Sequence, residues 1–334
     1  MFIFFINIGL KAEEPYQNYT YNYWKDPLIA PESYVTSTVI NGAKLGVGMF
    51  KSPQDIFVRN DNLYLLDSGN NRIIILNSEL KVKKIITNFR YQNQKENLKE
   101  PQSLYVTEEQ NIFVTDKGNS RIIILNNQGQ FLRKIGSPSD KSNLLVDNNF
   151  KFKPMQILVD KVGRVYVTAK NVYDGIMVFD IKGEFNGYIG APKVTPNPID
   201  LFWKSIATQK QRGRMNLYLP IEYNNLDLGK KGFIYAVEKG PAKKDSIKRL
   251  NPNGQDVLQR YGLHFPIGDF VTRRNKPSHF KDIVARSNGI FSVLDSQRGH
   301  IFTYNNRCKL LYVFGRKGSQ KGAFRNPVAL EEFK

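Results

Sequence analysis

The sequence predicts an all-β fold in which four-stranded sheets stack radially, and three observations predict it. The block SPQDIFV…NLYLLDSGNNRIIILN at residues 52–77 returns as EPQSLYV…NIFVTDKGNSRIIILN at residues 100–126. Weaker copies follow over 153–190, 223–262 and 279–315, and the two chain ends carry one further, divided copy. Repetition at this period marks a repeat architecture. One four-stranded sheet cannot bury both of its faces alone, so the copies must stack, and radial stacking gives a six-bladed β-propeller.

In the first copy the strands are expected at 54–58, 63–67, 72–77 and 81–86. Ser68-Gly69-Asn70-Asn71 separates the middle pair, since Gly and Asn accept the positive φ of tight turns. The residues ending each third strand are Asn77, Asn126, Asp180, Asn251 and Asn305, spaced 49, 54, 71 and 54 apart. The wide gap marks an insertion. Within it, residues 197–214 read as a helix: Asn197 caps, Pro198 fits the first turn, and Ile199, Phe202, Trp203 and Ile206 share one face. That stripe either packs on the propeller or meets a partner. The repeats fall at about 53–86, 101–136, 154–190, 223–262 and 279–315, with a partial copy at 326–334. GVGMFKSP at 46–53 recurs as QKGAFRNP at 320–327. Residues 37–42 are therefore expected to be the fourth strand of a sixth blade and 326–333 its first, paired in one sheet that closes the ring. The middle hairpin of that blade is expected to lie past Lys334, with a two-stranded last blade as the alternative.

These blocks resemble NHL-repeat β-propellers, whose typical repeat is P-x-G/D-[IV]-[AF]-V followed by [IL]-[YF]-V-x-D-x-G-N-x-R-[IV]. The resemblance covers about residues 35–334. It is most specific at Asp67 to Arg72 and Asp116 to Arg121. The third and fourth copies depart from it, with Ala169 and Glu238 at the Asp position, and in the fifth His300 replaces the Arg. Asp67 with Arg72, and Asp116 with Arg121, span the turn with opposite charges and are expected to pin its geometry rather than to react. NHL propellers serve scaffolding, recognition and catalysis alike, so the resemblance implies a fold and not a function.

Composition narrows the classes. Forty-nine basic residues against 30 acidic give a formal charge of +19, which promises attraction to polyanions. Cys308 is alone, which excludes an internal disulfide and a cysteine-rich metal site. No apolar run reaches the roughly 18 residues of a spanning helix. Residues 1–12, MFIFFINIGLKA, read as a clipped secretory signal or, alternatively, as an N-terminal strand. The first reading places the protein outside the cytoplasm as a secreted or cell-envelope component; the second leaves it cytoplasmic. Residues 13–34 hold six aromatic side chains, among them Tyr19, Tyr21, Tyr23 and Trp24. They suit a strap across the propeller or a carbohydrate-stacking platform.

Recognition is expected in the loops between blades, which share a face with the Asp-x-Gly-Asn turns. There Lys95, Lys99, Lys151, Lys153, Arg273, Arg274, Lys276, Arg316, Lys317 and Lys321 would ring the mouth of the central channel. Their expected partner is a protein or an anionic cell-envelope polymer; RNA would require cytoplasmic residence and has no support beyond charge. The third residue of each first strand gives Asp55, Ser103, Gln156, Asn225, Asp282 and Ala329. Five polar side chains would thus face the axis, bridged by water or holding a hard cation such as calcium. His264, His279 and His300 are the whole histidine supply for a zinc site. No Gly-rich phosphate loop, HExxH, GxSxG or paired-cysteine motif is present. The expected function is a non-enzymatic binding module without a cofactor; the alternative is a metal-dependent propeller enzyme of lactonase or lyase type, with calcium or zinc in the channel. Oligomeric state cannot be read from the chain.

Overall fold

A computed structural model describes residues 17–138, 150–191, 222–260, 267–269 and 276–332. The expected signal segment 1–12, the helix over 197–214, His264, Arg273 and Arg274 lie outside the described residues. The architecture is an all-β propeller with five blades, each an antiparallel sheet whose strands follow chain order from the axis outward. Blade 1 comprises Asp55–Arg59, Asn62–Asp67, Arg72–Leu76 and Val82–Ile86. Blade 2 comprises Pro101–Val106, Ile112–Asp116, Arg121–Leu125 and Phe131–Ile135, and blade 3 Pro154–Val159, Val165–Ala169, Ile176–Phe179 and Phe185–Ile189.

Strand position explains residue pattern. Middle strands are sandwiched between neighbouring blades, so Ile73, Ile74, Ile75 and Leu76 are all buried and show no alternation. The fourth strand is a sheet edge, and Val82–Ile86 alternates half-buried with exposed residues, Lys83 among the latter; edge lysines oppose unwanted strand pairing. The cores lie between the sheets. Tyr64, Ile73 and Ile75 of blade 1 meet Leu104, Val114 and Ile123 of blade 2, and Phe291, Phe302 and Tyr304 of blade 5 meet Tyr235 and Val237 of blade 4.

Among the described residues blade 4 has three strands, Tyr223–Leu228, Ile234–Glu238 and Ile247–Leu250, where four were expected. After the Asn251–Gly254 turn the Asp256 carboxylate takes over: Oδ1 accepts from Arg249 N (3.1 Å) and Leu258 N (3.1 Å), and Oδ2 pairs with Arg260 (2.7 Å). The side chain thus takes the Arg249 amide that a fourth strand would have paired, leaving the Leu250–Asp256 bridge and the bond from Val257 N to Arg249 O (2.8 Å).

Blade 5, with Phe280–Ala285, Phe291–Asp295, His300–Tyr304 and Leu310–Phe314, carries two additional strands on its outer edge, Tyr19–Tyr21 and Pro27–Ile29. The aromatic lead-in is therefore a hairpin added to this blade, with Tyr23 and Trp24 exposed at its tip. One buried carboxylate fastens it. Asp269 accepts from the hydroxyls of Tyr19 and Tyr21 and pairs with His300 Nδ1 at 2.9 Å. Replacing Asp269 by asparagine is expected to release the hairpin, seen as several-fold faster trypsin cleavage at Lys25 with the remaining blades still resistant. Unchanged cleavage would show that the strand pairing alone suffices.

The expected sixth blade is not formed: residues 37–42 and 326–332 belong to no sheet. Around 41–47 the backbone is committed to local turns, with Leu45 N bonding Asn41 O and Val47 N bonding Gly42 O. Ile40, Leu45, Val47 and Phe50 instead cover the outer core of blade 1. Residues 327–332 nevertheless occupy an inner-strand position beside blade 5. Leu330 N donates to Asp282 Oδ2 as Leu104 N does to Asp55 Oδ2.

Candidate functional site

Every inner strand runs from an interblade loop to a tight hairpin, so loops and hairpins mark opposite ends of the channel. For a five-residue strand such as Asp55–Arg59 the separation is about 17 Å.

At the loop end, a turn motif repeats. Asp67 is fully buried and its Oδ1 accepts from Lys51 N (2.7 Å), while Oδ2 accepts from Asn70 (2.8 Å) and Arg72 (2.7 Å). Arg72 also donates to Val47 O at 2.6 Å. Asp116 repeats the set with Lys99 N (2.6 Å), Asn119 (2.9 Å) and Arg121 (2.8 Å), and Arg121 adds Glu96 at 2.5 Å. These pairs therefore tie each turn to the loop that precedes its own blade. In blade 4 Glu238 with Lys248 (3.3 Å) does the work, and in blade 5 Asp295 with Arg298 (3.2 Å). Arg298 stands two residues before His300, which is why reading the aligned column alone missed it.

The same turns fix the lysines. Gly69 N and Gly118 N donate to Lys51 O and Lys99 O, both at 2.8 Å, and Lys170 N donates to Lys153 O at 2.9 Å. Three successive blades thus put an exposed lysine where the loop accepts from its turn, a place held by Glu222 in blade 4 and His279 in blade 5. The turn glycines are required because a Cβ at Gly69 or Gly118 would fall 2.7 or 2.6 Å from the Lys51 or Lys99 Cγ. Lys95, Lys151, Lys276, Arg316, Lys317 and Lys321 are likewise exposed in this set of loops. Lys51 was not anticipated, although it holds the position in the first repeat that Lys99 holds in the second.

At the waist, Asp55, Ser103, Asn225 and Asp282 face one small space of about 30 Å³. Asp55 Oδ1 accepts from Ile56 N (2.9 Å), and Oδ2 accepts from the Ser103 hydroxyl (2.7 Å) and Leu104 N (2.9 Å). Asn225 donates to Asp282 Oδ1, which also accepts from Ile283 N at 2.7 Å. Gln156 is half-buried and does not line this space. Two carboxylates not anticipated, Asp227 and Glu331, do line it. They sit two residues beyond Asn225 and Ala329, and strand alternation returns a side chain to the same face at that spacing.

Burial dominates the electrostatics there. It pushes Asp55 up to about 6 against its hydrogen bonds, and Asp227 likewise to about 6. Asp282 is raised well above the usual carboxylate range by burial and then by the Asp55 charge, and Glu331 by burial and then by Asp227. A calcium ion needs six to eight converging oxygens. Here both oxygens of Asp55, Asp282 and Asp227 already accept amide or hydroxyl donors. Among the described residues no group of three His, Cys, Asp or Glu side chains is arranged for a metal. His300 is committed to Asp269 and Tyr19.

No family model matches the chain, and no curated protein sequence matches it. Solved structures do. A structural genomics protein of unknown function from Bacteroides thetaiotaomicron aligns with TM-score 0.53 and 12% identity over 84% of this chain and 64% of its own. The chain is a β-propeller. Virginiamycin B lyase from Staphylococcus aureus aligns with TM-score 0.49 and 13% identity, over 83% of this chain and 73% of its own, and a streptogramin B lyase with 0.45 and 14%, over 83% and 86%. At these identities the likeness concerns fold alone. No helix among the described residues is long and apolar enough to cross a membrane.

Proposed function

We propose that this chain is a non-catalytic, NHL-type binding propeller that docks an anionic polymer on its interblade face. The observation that carries the reading is the placement of Lys51, Lys99 and Lys153 at one hydrogen-bonded position of three successive blades. Cations repeated by the architecture suit a ligand whose charges also repeat. Lys95, Lys151, Lys276, Arg316 and Lys317 surround them, and Arg273 and Arg274 belong by sequence to the same loops. The buried acids of that face are occupied in holding turns, which favours binding over chemistry. An extracytoplasmic setting, expected from residues 1–12, makes the polymer a cell-envelope component.

Retention on a polyphosphate column is the direct test. The protein is expected to elute at moderate salt, and Lys51→Glu/Lys99→Glu/Lys153→Glu to pass through at low salt with an unchanged unfolding temperature, because all three are exposed. Equal retention of the triple variant removes the reading. Retention on an immobilised acidic protein in place of polyphosphate would transfer it to protein recognition.

A further inference from the structure

The opposite end of the channel holds a second, wider cavity with a lining of the opposite charge. It opens among the hairpins that join first and second strands, encloses about 970 Å³, and narrows onto the waist. That volume is at the upper end for small-molecule sites. In a chain of net charge +19, seven carboxylates line this funnel against four cationic side chains. Two of the four are already used: Arg59 donates to Val106 O (3.0 Å) and lies over the Phe57 and Tyr105 rings (5.4 and 5.8 Å), and Arg133 donates to Ile181 O (2.6 Å). Asp61, Glu108, Glu109, Asp227 and Glu331 have no ion pair among the described residues.

The funnel floor decides what would fit. Asp227 and Glu331 line both the funnel and the waist space, so carboxylates are concentrated where the cavity narrows; the Arg59 charge acts on Asp227 from a distance. The waist space of about 30 Å³ holds one group the size of a water molecule. An ammonium head fits there and a trimethylammonium does not. Above it, Phe57, Tyr105 and Phe113 offer apolar walls. We propose that this funnel binds an organic primary amine, its ammonium on Glu331 and its apolar body against Phe57 and Tyr105. The saturated oxygens of Asp55, Asp282 and Asp227 leave the cluster poorly suited to a metal ion and do not hinder a single ammonium on Glu331. Since burial raises the Glu331 carboxyl above the usual carboxylate range, amine binding displaces its proton and strengthens as pH rises. This site is independent of the lysine face: it lies at the other mouth and takes the opposite charge.

The test is isothermal titration of the whole chain with phenethylamine, its N-trimethyl derivative and phenethyl alcohol, at pH 5.5 and pH 8 in two buffers of different ionisation enthalpy. Saturable binding of phenethylamine alone is expected, at least tenfold tighter at pH 8, with proton release seen as a buffer-dependent heat. Glu331→Gln, which keeps the acceptor for Glu332 N, is expected to weaken it at least tenfold and abolish the proton release. Glu108→Gln/Glu109→Gln, both exposed, is expected to weaken it several-fold and only at low salt. The proposal is overturned by no heat up to millimolar amine, by equal binding of the trimethyl compound or the alcohol, by calcium binding that excludes the amine, or by a Glu331→Gln variant that binds normally. Polyphosphate retention is expected to be identical in all these variants, so either reading can fail alone.

Discussion

Alanine at Asp116 is expected to lower stability by about 3 kcal/mol or more, measured as a shifted denaturant midpoint at constant slope. The carboxylate is fully buried and binds Lys99 N, Asn119 and Arg121 together. Removing it leaves the Lys99 amide without this acceptor and the mostly buried Arg121 guanidinium with Glu96 alone, and it cuts the tie between the blade 2 turn and the loop leaving blade 1. The double change Asp116→Ala/Arg121→Ala is expected to cost less than the two single changes combined, because each single change already breaks the bond between the two residues. Additive losses, or a single-variant loss under about 0.5 kcal/mol, would show that backbone pairing already fixes the turn. The corresponding change at Asp67 is expected to behave alike, since the two sites share their bonds.

The second large effect is on pH dependence, through the waist. Asp55 and Asp227 titrate near 6 in the folded chain, above an unfolded aspartate at about 3.9. Between those values the folded state holds more protons than the unfolded one, so stability falls as pH rises from about 4 through 6 and then levels. Asp282 and Glu331 act in the same direction and extend the loss upward. Glu331→Gln removes one of these charges without removing a donor partner. It is expected to stabilise the protein at pH 8 and to leave stability at pH 4 unchanged. Equal stability of variant and parent across pH 4–8 would mean that Glu331 is solvated.

The sheet core was legible because the blocks ending in RIIIL carry strand, turn and strand in fixed register, and burial on both faces demands an unbroken apolar run. The turn pairs were legible too, since opposite charges flank a four-residue turn in both strong copies. Blade count was not. The matching octets at 46–53 and 320–327 signalled equivalent positions correctly at the inner strand, where Leu330 repeats the bond of Leu104. They could not show that Ile40 and Leu45 turn onto blade 1 instead of pairing. The fourth strand of blade 4 failed for a similar reason, because nothing in its alternation reveals that Asp256 outcompetes a backbone partner. At the waist, Asp55 and Asp282 were found by their column, whereas Asp227 and Glu331 needed the next layer of the same strands. The lysine face was visible as charge, but its order appeared only with the bonds from Gly69, Gly118 and Lys170.

Those two glycines have a consequence for affinity. A free lysine side chain surrenders up to about 2 kcal/mol of rotamer entropy when it is immobilised, a loss that normally weakens every exposed ammonium used as a docking point. With the Cγ of Lys51 and of Lys99 set against the bare backbone of Gly69 and Gly118, the first part of that freedom is already surrendered before any ligand arrives. The interblade face is thereby preorganised, and its contacts would be stronger than those of lysines on an ordinary loop.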